Sequence, residues 1–241
     1  MPPDLDNSFG TENVTPAERQ RRVWDLFNRV APRYDLMNDA MSFGIHRWWK
    51  RRFVQGLPAS GLCVDLAGGT GDVAALLARC PQRTVVVCDP SAAMMNTGRA
   101  AGRDGRILWV AGQAEQLPFA DGSVTALTVA FGLRNVTHLE AALREAWRVL
   151  APGGVFVCLE FSRPYAWFRP LYDAYSYLVI PRLGAWIAGQ PDAYQYLVDS
   201  IRRFPAQQPF ASLLVDAGFA DVRYRNVSLG IACIHRGLKP D

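Results

Sequence analysis

A glycine-rich turn between two acidic residues is the feature of this sequence whose spacing most directly suggests chemistry. Residues 65–72 read DLAGGTGD, directly after an apolar run and before a helical pattern. Glycines at such a turn let a ligand approach the backbone closely, and the helix that follows offers free N–H groups. Asp89 ends the next apolar run, where an acid typically holds the two ribose hydroxyls of a nucleoside. The spacing therefore predicts a site for a nucleoside-containing cofactor.

Two classes of cofactor fit this turn. Gly69 and Gly71 match the dinucleotide pattern G-x-G-x-x-G/A, but the run also matches D-x-G-x-G-x-G, an S-adenosylmethionine pattern with alanine at its first glycine. Asp65 favours the second class, because it can steer the loop or bind the amino group of a methionine. Residues 113–115 (QAE) lie where an adenine-contacting loop is expected, and residues 152–154 (PGG) suit a methyltransferase core. We therefore expect a methyltransferase, with a dinucleotide-dependent enzyme as the alternative.

The elements around the turn alternate between strand and helix patterns. Five apolar runs separated by helical stretches are predicted to be strands: 63–66, 84–88, 107–110, 127–131 and 155–161. Alternation at this spacing is typical of an α/β fold, a parallel sheet with helices on both faces. Two more predicted strands, at 222–224 and 229–235, close the chain.

The N-terminal part departs from this alternation. Residues 1–14 are polar and acidic, which predicts a flexible N-terminus. Thr15 and Glu18 are spaced as a capping box and predict the start of a helix that Pro32 ends. A second helical stretch is predicted over 36–54.

We interpret residues 15–241 as a single domain with two additions to the sheet. Residues 15–56 are predicted to form a helical lid at its N-terminus. Residues 165–205 are rich in aromatic side chains and predict a helical insertion before the last two strands, for contact with a substrate or a second subunit.

Composition excludes several classes of protein. Half of the residues are hydrophobic and the net charge is +4, which suits a globular protein and is too weak a charge to indicate nucleic acid. Five cysteines without a CxxC pair, and three scattered histidines, predict no metal site. Charged residues and prolines interrupt the most apolar segment, 165–188, and no signal peptide is visible. We therefore expect a cytoplasmic protein.

Three longer stretches carry a family resemblance. Residues 27–50 read FNRVAPRYDLMNDAMSFGIHRWWK, residues 131–136 read FGLRNV, and residues 159–164 read LEFSRP. Together they resemble the UbiE/MenG family of quinone-biosynthesis C-methyltransferases. The resemblance covers nearly the whole chain, from Phe27 to Lys239.

The resemblance implies a class I methyltransferase with a Rossmann-like fold, a seven-stranded, mostly parallel sheet whose last strand is antiparallel. It implies transfer of a methyl group from S-adenosylmethionine to a ring carbon of a prenylated quinol. Together with the reading of the glycine turn, it gives these expected cofactor contacts: Asp65, Gly69, Thr70, Gly71, Asp89, Gln113, Ala114 and Ala130. Two of them depart from the family pattern. Gln113 stands where asparagine or aspartate is common and Ala130 where serine is common, and either change can weaken a hydrogen bond to the cofactor.

An aromatic carbon is a poor nucleophile until an adjacent hydroxyl loses its proton, so the reaction needs a base and a cation that holds the phenolate. Arg134, at the end of the fourth strand, is the natural cation, and Asn135 is suited to orient a water or the quinol oxygen. Tyr34 can close over the cofactor or hydrogen-bond the ring. Asp35 is interpreted as a base or as an N-cap of the next helix. His46 and His235 are further proton carriers.

The partners follow from the same stretches. Residues 46–52 (HRWWKRR) mix basic and aromatic side chains, as expected at a membrane surface to which the protein binds reversibly. The aromatic residues at 165–186 would line a groove for the prenyl tail or a homodimer interface. A nucleic-acid substrate is not expected, because FGLR follows the fourth strand rather than NPPY. The alternatives are a methyltransferase for another small molecule and an idle cofactor-binding scaffold of a quinone-assembly complex. A benzoquinol and a naphthoquinol fit the motifs equally.

Overall fold

The computed structural model describes residues 8–9, 12–103, 105–178 and 191–241. Nine strands are numbered along this part of the chain: β1 (Ser8–Phe9), β2 (Glu12–Asn13), β3 (Gly61–Leu66), β4 (Arg83–Asp89), β5 (Ile107–Ala111), β6 (Val124–Ala130), β7 (Leu150–Phe161), β8 (Ala220–Val227) and β9 (Ala232–Leu238). The first two form a short antiparallel pair. The other seven form one sheet in the order β5-β4-β3-β6-β7-β9-β8, in which β9 is antiparallel to both neighbours. The predicted fold class is confirmed.

Helices cover both faces of this sheet. Within the same described residues they are α1 (Pro16–Val30), α2 (Tyr34–Ser42), α3 (Ile45–Phe53), α4 (Asp72–Leu77), α5 (Ala92–Ala100), α6 (Leu139–Val149), α7 (Arg169–Leu178), α8 (Pro191–Arg203) and α9 (Gln207–Asp216). The start of α1 is as predicted, since the Thr15 hydroxyl accepts a hydrogen bond from the Glu18 N–H at 3.3 Å. Residues 179–190 of the predicted insertion lie outside the described residues, and the assignment of 165–205 to a functional insertion stays a prediction.

The central strands are apolar on both sides because both faces of the sheet are covered. Val64, Leu127 and Phe156 pack into one buried cluster with side chains of α6 and α9. Cys63 and Leu77 belong to a second cluster, which includes side chains of α3 and α4. This double burial explains why the strands read as continuous apolar runs in the sequence.

The lid differs from the prediction at one point. The single helix predicted over 36–54 is wrong, because the chain turns between α2 and α3. Phe43 and Gly44 both have left-handed backbone, with φ of 49° and 74°. A helix cannot continue through two such residues. The break lets α2 and α3 present separate faces to the site.

Candidate active site

The glycine turn lies at the carboxyl edge of the sheet, where the chain order reverses between β3 and β6. This is the position at which open α/β sheets bind ligands. Ala67 has a φ of +50° and Phe131, just after β6, has a φ of +58°. Both adopt a conformation that favours glycine, at a cost of about 1–2 kcal/mol each. Ala67 therefore keeps the glycine-type turn although it lacks the glycine.

Asp89, at the end of β4, fixes the turn through backbone hydrogen bonds. One carboxylate oxygen accepts from the Gly69 N–H at 2.8 Å, and the other accepts from the Ser91 N–H at 2.8 Å. Burial raises the pKa of Asp89, while these two hydrogen bonds oppose that rise. The carboxylate lines the cleft beside the turn, and backbone N–H groups rather than side chains hold it in position.

Asp65 supports the other side of the turn. It is fully buried, and its carboxylate accepts from the Thr128 hydroxyl at 3.1 Å and from the Ala74 N–H at 3.1 Å. Burial, followed by the charge of Asp72, raises the pKa of Asp65 to about 8. Asp65 thus joins β3, β6 and α4 and still lines the cleft.

The structure divides the predicted cofactor residues into two groups. Those that line the cleft are Asp65, Gly69, Asp89, Gln113, Ala114 and Ala130. Thr70 and Gly71 do not form its wall. The Thr70 hydroxyl donates to Asp35 at 2.9 Å, and Gly71, with a φ of +75°, provides the left-handed residue before α4. These two residues shape the turn, and their predicted contact with a cofactor stays a prediction.

Helix α1 contributes to the wall of the cleft, and the prediction that residues 15–56 form a lid stays a prediction. Arg19 is buried and donates to the carbonyl oxygens of residues 134–136 at 3.0 to 3.2 Å. The Gln20 amide donates to Gln113 at 3.0 Å. Phe27 lines the cleft from above the turn. No local pattern predicts this role for Arg19, because its carbonyl partners lie more than 100 residues away along the chain.

Asp35 connects the lid to the turn. Its carboxylate accepts from the Thr70 hydroxyl and from Arg103 at 2.6 Å, and Arg103 also donates to the Thr70 carbonyl oxygen at 3.2 Å. The N-cap interpretation of Asp35 is wrong, since α2 begins at Tyr34 and Arg33 is its N-cap. Both oxygens of Asp35 therefore face the turn and its arginine.

A second cavity, of about 740 Å³, adjoins the cleft. Its lining is predominantly apolar and comes from α1, α2, α3, α7 and α8, with strand-end residues of β6 and β7. Four side chains line both the cleft and this cavity: Phe27, Tyr34, Lys50 and Phe131. We call these four the shared wall. Tyr34 is thus at the boundary, where the sequence predicted a residue that closes over the cofactor or contacts the ring.

Arg134 lines the apolar cavity and is buried. Its Nη1 pairs with Glu160 at 3.0 Å and donates to the Phe131 carbonyl oxygen, and the guanidinium lies 5.4 Å from the centre of the Phe161 ring. Burial raises the pKa of Glu160, and the charge of Arg134 opposes that rise. Within the described residues, Nε of Arg134 has no hydrogen-bond partner. The Nε–H is therefore a buried donor that the described residues leave unsatisfied.

Asn135 lies in the cleft rather than in the apolar cavity. Its amide nitrogen donates to the Phe131 carbonyl oxygen at 3.3 Å, and its amide oxygen accepts from the Tyr196 hydroxyl at 3.1 Å. Asn135 thus joins the end of β6 to α8, and its predicted role in orienting a water or the quinol oxygen stays a prediction.

Lys50 is a residue of the site that the sequence analysis missed. It is buried, and its Nζ pairs with Asp72 at 2.5 Å and lies 5.8 Å from the centre of the Phe131 ring. Burial acts to lower the pKa of Lys50, but the charge of Asp72, the interactions with Tyr34 and Asp65 and the hydrogen bond to Asp72 together outweigh it, so the pKa is raised. A charged amine therefore stands at the shared wall. The signal was the spacing of His46 and Lys50, four residues apart and so on one face of a helix.

His46 lines the apolar cavity one turn before Lys50. Its Nδ1 lies 2.7 Å from the Ser42 hydroxyl, and that hydroxyl donates to the Asn38 carbonyl oxygen at 2.6 Å. Burial, followed by the charge of Lys50, lowers the pKa of His46, so that the ring is neutral at neutral pH. His235 lies elsewhere, on β9, where it contacts the Gln207 carbonyl oxygen at 2.9 Å.

The described part of the chain has neither a metal-binding cluster nor a membrane-spanning helix. No group of histidine, cysteine, aspartate and glutamate side chains there is arranged to hold a metal ion. None of the helices described here has the length and apolar character that would let it cross a bilayer.

Residues 15–239 match the sequence model of the ubiE/COQ5 methyltransferase family. The chain belongs to this family. The ubiquinone/menaquinone biosynthesis C-methyltransferase UbiE of Rubrivivax gelatinosus is 57% identical over 240 residues, 99% of this chain and 95% of that protein. The mitochondrial 2-methoxy-6-polyprenyl-1,4-benzoquinol methylase of Caenorhabditis elegans is 44% identical, over 99% of this chain and 87% of that protein. The predicted family and the predicted S-adenosylmethionine-dependent C-methyltransferase activity are confirmed.

The fold of this methyltransferase is also found in solved structures. An S-adenosylmethionine-dependent methyltransferase from Thermotoga maritima aligns with a TM-score of 0.67 over 90% of this chain and 99% of that one. The two sequences are 21% identical, so the likeness concerns the fold alone.

The residues of the cleft fit the cofactor of the family. Asp72, Asp89 and Glu115 place three carboxylates in the lining of the cleft, against the ammonium group of Lys50. Asp65, whose pKa is raised to about 8, adds a carboxyl group that a bound cation would ionise. An excess of negative charge suits S-adenosylmethionine, which carries positive charge on its sulfur and its amino group.

Proposed function

We propose that this methyltransferase methylates a ring carbon of a prenylated quinol, either a benzoquinol or a naphthoquinol. The shared wall is the observation that carries the proposal, because it brings an apolar cavity of about 740 Å³ against the cofactor cleft. A prenylated quinol requires this arrangement: its ring must reach the cofactor while its long tail leaves water. Relatives that match nearly the whole chain carry the names of enzymes for such substrates.

S-adenosylmethionine supplies an activated methyl group on a positively charged sulfur. In our proposal, Asp65 and Asp72 hold the methionine end of the cofactor and Asp89 holds the ribose hydroxyls. Gln113 and Ala114 then contact the adenine ring. The turn residues Gly69, Thr70 and Gly71 set the backbone path between these contacts.

Arg134 is proposed to hold the quinol oxygen. Its Nη1 is occupied by Glu160 and a carbonyl oxygen, whereas Nε has no partner within the described residues, although burial of an unpaired donor is unfavourable. A quinol oxygen in the cavity would satisfy this donor. Once the oxygen is charged, the guanidinium stabilises it in a site from which apolar walls exclude water.

His46 is proposed to accept the proton of the quinol hydroxyl. The Ser42 hydroxyl donates to a carbonyl oxygen and therefore accepts from Nδ1–H, which leaves the lone pair of Nε2 as the acceptor. The resulting phenolate pushes charge into the ring, and the ring carbon forms a bond to the methyl carbon while sulfur keeps the electron pair of the broken bond. The ring then loses its C–H proton to solvent, and His46 returns its proton to the oxygen.

Tyr34 and the other members of the shared wall are proposed to align the ring with the methyl group. The Tyr34 ring lies 6.2 Å from the Phe27 ring, and both face the cleft and the cavity. A flat quinol ring between aromatic side chains has few orientations, which favours attack from one face. Ala130 contributes a methyl group where a hydroxyl would donate a hydrogen bond, so it shapes the cleft without anchoring the cofactor.

The mouth of the cavity is proposed to rest on a membrane surface. Phe43 and Leu171 line the cavity, yet they are 79% and 66% exposed. Trp48 and Trp167 are exposed nearby in the chain, and Arg52 lies 5.3 Å from the Trp48 ring. Aromatic side chains with adjacent arginines are suited to the lipid headgroup region. A quinol dissolved in the bilayer would then enter directly.

The proposal is tested with methyl-labelled S-adenosylmethionine and two reduced acceptors, a demethylmenaquinol and a 2-methoxy-6-polyprenyl-1,4-benzoquinol. We expect label in the lipid phase with at least one acceptor. The Arg134→Ala variant should lower kcat by about a hundred- to a thousandfold, as for other preorganised donors. No label with either acceptor, despite intact cofactor binding, would leave another small-molecule acceptor or an idle scaffold.

A second pair of variants separates catalysis from folding. Arg134→Ala leaves Glu160 buried without its partner, which is itself destabilising by about 3–5 kcal/mol. The double variant Arg134→Gln, Glu160→Gln removes both charges and should regain thermal stability without regaining activity. Recovery of activity in the double variant would assign Arg134 a purely structural role.

A further inference from the structure

A smaller cavity, of about 220 Å³, lies next to the quinol cavity. Tyr172 and Ile201 line both spaces, so the two are neighbours across one layer of side chains. The smaller cavity takes the rest of its lining from the segment after β7, from α7 and from α8. None of the residues to which we assign methyl transfer lines it. We call this space the arginine cavity.

The arginine cavity carries a net positive charge. Arg163, Arg169 and Arg202 line it, against a single carboxylate, Asp173. Arg202 lies 3.4 Å from Asp173 and 3.3 Å from the Ser176 hydroxyl, and its guanidinium lies 3.7 Å from the centre of the Tyr177 ring. Arg163 donates to the Arg202 carbonyl oxygen at 3.2 Å, which brings two of the three arginines together without neutralising either. The lining therefore keeps two positive charges in excess.

Ser162 provides an independent sign of a ligand. The residue is only 8% exposed and lines the arginine cavity, and its hydroxyl has no hydrogen-bond partner within the described residues. Buried hydroxyl groups are nearly always paired, so an unpaired one on a residue that lines a cavity indicates a partner that the described residues do not supply. Burial also raises the pKa of Tyr172 to about 12, so its hydroxyl remains a donor at this cavity. The cavity thus offers hydroxyl and guanidinium donors.

We propose that the arginine cavity binds the phosphate group of an anionic amphiphile at the membrane surface. Arginine matches the oxygens of a phosphate with paired N–H donors, and the Ser162 hydroxyl supplies a further donor at the buried end. The exposed apolar side chains of Trp167 and Leu171 lie in the same segment, where the chains of a lipid would begin. A headgroup held here would fix the mouth of the quinol cavity against the bilayer.

This proposal does not depend on methyl transfer, and its test measures binding. Vesicles of phosphatidylcholine with and without phosphatidylglycerol are sedimented with the wild type and with the double variant Arg163→Gln, Arg169→Gln. The matched control is Arg144→Gln, Arg223→Gln, which removes the same charge from exposed positions elsewhere. We expect the affinity for phosphatidylglycerol vesicles to fall about tenfold more in the first variant than in the control. An equal fall in both variants would overturn the proposal, because it would indicate unspecific attraction.

Titration with soluble phosphate compounds distinguishes a lipid headgroup from free phosphate as the ligand. Inorganic phosphate and glycerol 3-phosphate are titrated into the wild type and into Ser162→Ala by calorimetry. We expect glycerol 3-phosphate to bind more tightly than inorganic phosphate, with a severalfold loss in Ser162→Ala and unchanged thermal stability. Binding of inorganic phosphate alone, without any effect of Arg163→Gln, Arg169→Gln on vesicles, would keep the anion site but overturn the lipid as its ligand. If the wild type binds neither soluble phosphate compound and all variants bind vesicles equally, the proposed site is refuted.

Turnover measurements test whether the arginine cavity affects delivery of the quinol from the membrane. With a detergent-dispersed short-chain quinol, Arg163→Gln, Arg169→Gln should keep the wild-type kcat, because these arginines lie outside the methyl-transfer residues. With a quinol in phosphatidylglycerol vesicles, its apparent KM should rise about tenfold. A fall in kcat in detergent would contradict the assignment to membrane positioning.

Discussion

The cofactor cleft and the apolar cavity of about 740 Å³, which we call the quinol cavity, meet at the shared wall but are built in different ways. We call the cleft the backbone half of the site and the cavity its side-chain half. The cleft depends on backbone: the turn at 67–71 joins a strand to a helix, and Asp89 holds it through two N–H groups. The cavity depends on side chains that five helices and two strand ends bring together. The cleft is therefore set by a few adjacent residues, whereas the cavity exists only when α1, α2, α3, α7 and α8 are packed together. In the proposed function, a cofactor common to many enzymes and a substrate particular to this family are thus recognised by different means.

The largest expected effect comes from a substitution in the glycine turn, which should disrupt the cofactor cleft and leave the quinol cavity intact. A Cβ at Gly68 would lie 2.8 Å from the Asp65 carboxylate and 2.9 Å from its carbonyl oxygen, so Gly68→Ala must displace the turn. We expect the affinity for S-adenosylmethionine to fall by about a thousandfold, which is about 4 kcal/mol. Calorimetric titration measures it. Gly105→Ala is the control, since no atom lies within 4 Å of its added methyl group. Equal affinities in the two variants would contradict a backbone-built cleft.

The next effect concerns the sheet that supports both halves. His235 is buried, and burial lowers its pKa to about 4 from an ordinary value of 6.5. Because the folded protein resists protonation, stability is full above pH 6.5 and is lost as the pH falls towards 4, by about 3 kcal/mol in total. His235→Gln should remove this loss. Urea unfolding between pH 4 and 7 measures it, and the same pH slope in both proteins would exclude His235 as the cause.

The smallest expected effect comes from a substitution that reduces the volume of the quinol cavity. Leu197 of α8 lines the quinol cavity, and Leu197→Trp would fill part of it. We expect KM for a long-chain quinol to rise about tenfold, because the lost volume displaces apolar tail from its site. KM for S-adenosylmethionine and for a short-chain quinol should change little. Leu213→Trp, in the partly buried face of α9, is the matched control. A parallel rise for both quinols would show that the cavity does not hold the tail.

The backbone half was the part of the site that the sequence could predict. The glycine turn, Asp89 and Gln113 each follow a predicted strand, and parallel strands bring such positions to one edge. Arg134 was predicted through the FGLRNV stretch, but its partner Glu160 was not, since nothing in the sequence pairs residues 26 positions apart. Asp35 was predicted to be a base or an N-cap, and its ion pair with Arg103 was not predicted because that pair forms only in the folded chain. Its role as a base stays a prediction.

The pairing partners of the side chains around the apolar cavity could not be predicted from local sequence patterns, because those partners are distant in the chain. Lys50 pairs with Asp72, and Arg19 reaches the carbonyl oxygens that follow β6, through contacts that exist only after the lid has packed. The break between α2 and α3 was missed because Phe43 adopts left-handed backbone, which its residue type does not favour. Helical periodicity continues across such a residue, so the pattern predicted one helix where the structure has two.

The shared wall has a thermodynamic consequence for the two ligands. Phe27, Tyr34, Lys50 and Phe131 each face both the cleft and the cavity, so a ligand that shifts one of these side chains alters the space for the other ligand. Coupling of this kind is reciprocal: by whatever factor bound cofactor changes the affinity for the quinol, bound quinol changes the affinity for the cofactor by the same factor. The same reciprocity holds for the products: by whatever factor the demethylated cofactor, which has lost a methyl group and a positive charge, changes the affinity for the methylated ring, that ring changes the affinity for the demethylated cofactor.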